Sequence, residues 1–143
     1  MSRPRYASDP TMLSFAMNRK IIATENAPSA IGPYSQAVDV NGTVYVSGQI
    51  PLDPETGEIV DGGISPQTTR VLENLKAVVE AAGGTMADVL KVTIYIVDMK
   101  QFATVNEIYG SYFSAPFPAR ACVEVSALPK GVEVEMDAIA HIE

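Results

Sequence analysis

Arg120 stands in the run Phe117-Pro118-Ala119-Arg120-Ala121-Cys122-Val123-Glu124-Val125, a β-branched, apolar stretch that reads as a buried strand. A guanidinium is costly in such a place unless something pairs with it. Its planar fork of donors matches a carboxylate, so two partners fit: a protein acid in a structural ion pair, or a bound carboxylic acid. Alternation along the strand puts Arg120, Cys122, Glu124 and Ser126 on one face. If Leu128-Pro129-Lys130-Gly131 closes an antiparallel hairpin with Val125 opposite Val132, Cys122 faces Glu135. Arg120 then lies diagonal to Glu135 and opposite Asp137. A slip of one residue changes every pairing, so the expectation is a cluster of one guanidinium, one thiol and one or two carboxylates around two strands.

Each member of that cluster has two readings. Glu135 beside a cationic pocket is suited to holding and deprotonating a water, and equally to pairing with Arg120. Cys122 as a nucleophile would need a base, and His141 is the only histidine in the chain; a packed small side chain is the simpler reading. Asn106, four residues after Phe102 at the margin of a helix's apolar face, is either a satisfied buried amide or a ligand contact. Tyr34, after Gly32-Pro33, is a packing residue or a pocket residue. The Ser47-Gly48 pair marks a bulge or a close backbone approach.

The elements that must position these residues follow from pattern. Lys20–Thr24 is a short strand. Ser35–Val40 and Thr43–Ile50 flank Asn41-Gly42, a strong hairpin signal because both residues tolerate positive φ. Pro51–Gly63 is turn-rich. Ser65 reads as an N-cap with Pro66 at the first helical position, opening a helix with Val71, Leu75, Val78, Val79 and Ala82 on one stripe and an end at Gly83-Gly84. Val89–Val97 is a strand. Asp98 and Gln101 form a capping-box pattern before a second helix that carries Phe102, Val105, Tyr109 and Tyr112 on one face. Ala119–Ser126 and Val132–Ile142 are the last two strands. The order β-β-β-α-β-α-β-β predicts an α+β domain with about six strands and two helices on one face of the sheet. Val92, Ile94 and Ile96 alternate with Thr93, Tyr95 and Val97, so neither face is charged, and a homo-oligomer is the simplest cover for the second.

Composition narrows the classes. The 143 residues carry a formal charge of −7, with a sequence pI of about 4.6, which argues against a nucleic-acid surface. One cysteine excludes an internal disulfide and fits a reducing, cytoplasmic compartment. One histidine and one cysteine do not make a usual zinc site, and no phosphate-binding glycine loop or membrane-spanning apolar run occurs. Residues 1–16, with Arg3 and Arg5 against a single acid, Asp9, have no period. They read as an extension, expected to be disordered, that is a weak organelle-targeting peptide or, preferably, a cloning remnant or sequence upstream of a start at Met17, leaving 17–143 as the domain.

The motifs together resemble a known family. Ala23–Pro28, Ile31–Ala37, Ser47–Ile50, Asn74–Ala77, Ala103–Asn106, Phe117–Val125 and Glu135–Ala140 are similar to the RidA/YjgF reactive-intermediate deaminases, over roughly nine tenths of the chain. The resemblance implies a chorismate-mutase-like fold and a homotrimer with sites at subunit interfaces. It implies hydrolysis of enamine and imine acids, such as 2-aminoacrylate and 2-iminobutyrate, to 2-oxoacids and ammonia, with neither metal nor cofactor. It assigns Arg120 to the substrate carboxylate, Glu135 to water activation, and Tyr34, Ser47, Gly48, Asn106 and Cys122 to the pocket. The segment Ser114-Ala115-Pro116 is shorter than in some members, which bears on the pocket rim. Two other readings stand beside this one: a non-catalytic carboxylate-binding or chaperone-like trimer, and a ribonuclease or translation inhibitor, against which the acidic balance and the lone histidine count.

Overall fold

The computed structural model describes residues 18–143, so the extension expected at Met1–Ala16 lies outside the described residues. A six-stranded mixed sheet runs in the order β1-β2-β3-β6-β4-β5. Its strands are β1 (Arg19–Ile22), β2 (Ala37–Val40), β3 (Thr43–Gln49), β4 (Val89–Ile96), β5 (Ala119–Glu124) and β6 (Val134–His141). Two helices, α1 (Ile64–Ala81) and α2 (Phe102–Gly110), pack together on one face. The expected fold class and its single helical layer are present.

Local chemistry explains the boundaries. Asn41 and Gly42 both adopt positive φ, 53° and 91°, and turn β2 into β3. At the end of α1, Gly83 at φ 97° donates to the Glu80 carbonyl and Gly84 to that of Val79, a Schellman closure. The start of α1 differs from expectation. The cap is Gly63, so Ser65 lies inside the helix and Pro66 in its first turn, where a missing N–H leaves no intrahelical bond unmade. The Asp98–Gln101 capping box does not form either. The Asp98 carboxylate instead accepts from the Lys100 amide and caps a 3₁₀ turn, Met99–Gln101, ahead of α2. A capping box does close at Thr85 and Asp88, before β4.

The largest correction concerns β5 and β6. They are not a hairpin: β4 lies between them, antiparallel to β6 and parallel to β5. The run around Arg120 is thus an edge strand, exposed along most of its length rather than buried. The physical reason is competition for β6, which is bonded on both sides by β3 and β4 and has no free edge.

The core lies between the helices and one sheet face. Val92, Ile94, Ile96, Val134 and Met136 are fully buried there against Val71, Leu75, Val78 and Val79 of α1. Burying each such side chain contributes about 1.5–3 kcal/mol. The opposite face is open: Tyr45 is 51% exposed and Val123 42%.

Candidate functional site

The register places the expected site residues in two groups. Arg120 pairs with Val92, and Cys122 with Ile94, so both project on the helix-covered face at its outer edge. Glu135 pairs with Tyr95, between the buried Val134 and Met136, and so projects on the open face. Within one chain Arg120 and Glu135 stand on opposite sides of the sheet. The structural ion pair between them is not made, and Cys122 does not face Glu135.

The first group is built on α2. Asn106 Oδ1 accepts a hydrogen bond of 2.6 Å from Arg120 Nη1. The guanidinium carbon lies 5.0 Å from the Tyr109 ring centre and 5.4 Å from that of Phe102. Those three α2 residues are spaced at i, i+4 and i+7, which puts them on one side of the helix. Cation–π contact and a neutral amide hold the guanidinium without neutralising it. Beside it opens a cavity of about 450 Å³ lined by Asn106, Tyr109, Gly110, Phe117, Pro118 and Arg120. Phe117 is 61% exposed at its mouth. Asn106 is neither buried nor free; it is the partner of Arg120. Burial pushes the Cys122 thiol's pKa up, against the pull of Arg120, which favours the packed-thiol reading over a thiolate.

The second group is built on β3 and β6. Three steps along β3, from Val46 to Gln49, match two along β6, from Ala138 to Met136, so a bulge falls at Ser47-Gly48. The Glu135 carboxylate fills the space that a Cβ on Gly48 would need; its Cδ would stand 3.0 Å from that atom. Glycine at 48 is therefore a seat for Glu135. Ser47 is committed to the fold: its Oγ donates to the Ser35 carbonyl at 2.5 Å, and its N–H to the Gln36 carbonyl at 2.9 Å. Burial raises the pKa of Glu135 above the usual carboxylate range, and the charge of Asp137 raises it further. Tyr34 belongs to neither group. It is 54% exposed on the loop before β2, lining a separate groove with Ile21 and Ser35.

Sequence reasoning missed Phe102 and Tyr109 as parts of the site, reading them as core. The signal was present: Asn106, a polar residue on that side of α2, lies between them at helical spacing. It also missed that Tyr95 and Asp137 are bonded on the open face, which the hairpin register had hidden.

The sheet thus carries a cation held open at its edge and a half-buried carboxylate on its bare face. Residues 24–142 match the family model described as Endoribonuclease L-PSP. The chain belongs to this family, the RidA/YjgF family. Among its relatives, the RutC family protein of Pyrococcus abyssi is 56% identical over 127 residues, covering 89% of this chain and all of that protein. The 2-iminobutanoate/2-iminopropanoate deaminase of Salmonella typhimurium is 53% identical over 124 residues, covering 85% of this chain and 96% of that one. The crystal structure of Escherichia coli TdcF with bound serine superposes with a TM-score of 0.83 at 48% identity, over 87% of this chain and 99% of that one.

Proposed function

We propose that the chain is a hydrolytic deaminase of 2-imino and 2-enamine carboxylates, working as a homotrimer whose sites are completed between subunits. The observation that carries this reading is Arg120, a cation held by neutral groups at the mouth of an open cavity. Such a guanidinium is prepared for an incoming carboxylate, a charge-assisted pair contributing about 1.5–3 kcal/mol. Relatives at about half identity named for iminobutanoate and iminopropanoate deamination support the substrate class, and the serine bound to the E. coli relative is likewise an α-carboxylate.

In this reading Arg120, with Asn106, anchors the carboxylate of an acid whose enamine has tautomerised to the imine. Glu135 takes a proton from water as the water oxygen bonds to the imine carbon. The C=N π pair moves to nitrogen, which receives that proton from Glu135 and gives a carbinolamine; the hydroxyl proton is then passed to nitrogen as the C–N bond breaks, so that ammonia leaves and the C=O of a 2-oxoacid forms. Because the two groups project from opposite faces, one copy supplies Arg120 and a neighbouring copy the Gly48–Glu135 shelf. Exposed Ile21, Tyr34, Tyr45 and Val123 give that neighbour apolar surface to cover. Tyr34 and Cys122 line the completed pocket. The ribonuclease wording of the family description gains little here, since the one histidine, His141, bonds Thr43 Oγ1 at 3.1 Å.

The test is 2-oxoacid release from 2-aminoacrylate and 2-iminobutyrate generated in situ by a dehydratase. Acceleration by the wild type and not by Arg120→Ala is expected. No acceleration by the wild type would leave a carboxylate-binding protein instead.

A further inference from the structure

Beyond the residues assigned so far, the open face carries a bonded pair that has no place in the fold's core. Tyr95 Oη donates a 2.9 Å hydrogen bond to Asp137 Oδ2. Tyr95 is the direct cross-strand neighbour of Glu135, so this bond runs diagonally between β4 and β6, to the residue two places beyond Glu135. Asp137 follows Glu135 by two residues on the same face, opposite Thr93 on β4 and the Ser47-Gly48 bulge on β3. Tyr95 therefore ties down one carboxylate immediately beside another.

We propose that Asp137 is a positioning residue for Glu135: held in place by Tyr95, its fixed negative charge keeps the Glu135 carboxyl able to accept a proton from water and hand it on. This rests on the water-activating reading of Glu135. A like charge disfavours ionisation of its neighbour, and Asp137 acts on Glu135 in that direction, second to burial. Among the described residues, the other groups near the pair are few. From β3, the bulge residues Ser47 and Gly48 are uncharged, and Tyr45 lies further along, opposite Ile139. From β4, beyond Tyr95, Lys91 also lies opposite Ile139. On β6's approach, Glu133 leans toward Gly63.

The test titrates Glu135 in the assembled full-length protein by ¹³C-carboxyl NMR, with the signal assigned through Glu135→Gln, alongside the pH profile of kcat/KM. Asp137→Asn keeps an acceptor for Tyr95 and removes the charge. The Glu135 midpoint and the acidic limb of the profile are then expected to move toward acid by roughly half a pH unit or more. Asp137→Glu, which keeps the charge, is expected to restore both. Asp137→Ser, also an acceptor for Tyr95, is expected to shift them in the same direction and serves where the Asn variant does not assemble. An unmoved midpoint in Asp137→Asn or Asp137→Ser, or an equal shift in Asp137→Glu, would overturn the proposal. Full turnover by Glu135→Gln would instead remove the water-activating reading, and the NMR midpoint would still report the action of Asp137 separately.

Discussion

The two groups of candidate residues treat charge in opposite ways. At the sheet edge, Arg120 is exposed and wrapped by two aromatic rings and an amide, so its cation is stabilised but not cancelled. On the open face, Glu135 is half-buried on a glycine seat beside a second carboxylate, so its anion is disfavoured. One group is a permanent cation, and the other has its anion disfavoured by burial and a neighbouring carboxylate. The contrast matches the roles proposed for the two residues: a carboxylate anchor works best as a permanent cation, whereas an acid–base group works best with a proton affinity near the working pH. It also explains why the pair cannot be a salt bridge within one chain. Such a bridge would satisfy Arg120 and hold Glu135 ionised, and the sheet prevents it by standing between them.

Substitutions break this contrast to different depths. Arg120→Lys replaces the fork with a point charge that cannot bond both carboxylate oxygens, and an activity loss of about 10- to 100-fold in kcat/KM is expected. Steady-state rates with a series of imine substrates check it, and near-native turnover would remove the anchoring role. Asn106→Ala leaves the charge but frees its orientation. A rise of about fivefold in KM, with kcat largely kept, is the expected result. The smallest effect is on stability. The folded chain raises the proton affinity of Glu135, so whatever stability follows from protonating it is full below the unfolded value of about 4.3 and lost as pH rises through the raised folded value. Glu135→Gln is therefore expected to melt above the wild type at pH 7, a gain that thermal scans should find gone below the unfolded value of about 4.3.

Much of this architecture was legible because it is written in local pattern. The Asn41-Gly42 turn, the apolar stripe of α1 and its glycine end each depend on neighbours in sequence. The pairing of β5 was not legible, because a short Leu128–Gly131 connection is compatible with a hairpin. What excludes the hairpin is that β4, from earlier in the chain, occupies the β6 edge. That one non-local fact moved Arg120 from a buried strand to an exposed edge and put Glu135 on the other face. Arg120 and Glu135 could be singled out from residue type, but the cradle of Phe102, Asn106 and Tyr109 required the α2–β5 contact. The Gly48 signal was sound in both its forms, since the residue marks a bulge and a close approach at once.

The most direct measurement is complementation between two inactive chains. Arg120→Ala and Glu135→Gln, each expected to be inactive alone, would be unfolded together, refolded as mixed assemblies and assayed for 2-oxoacid release. If neighbouring copies supply the two residues, random mixing restores about a quarter of the sites, with matching activity. Activity no greater than that of the separate mutants, in assemblies shown to be mixed, would contradict a site shared between subunits.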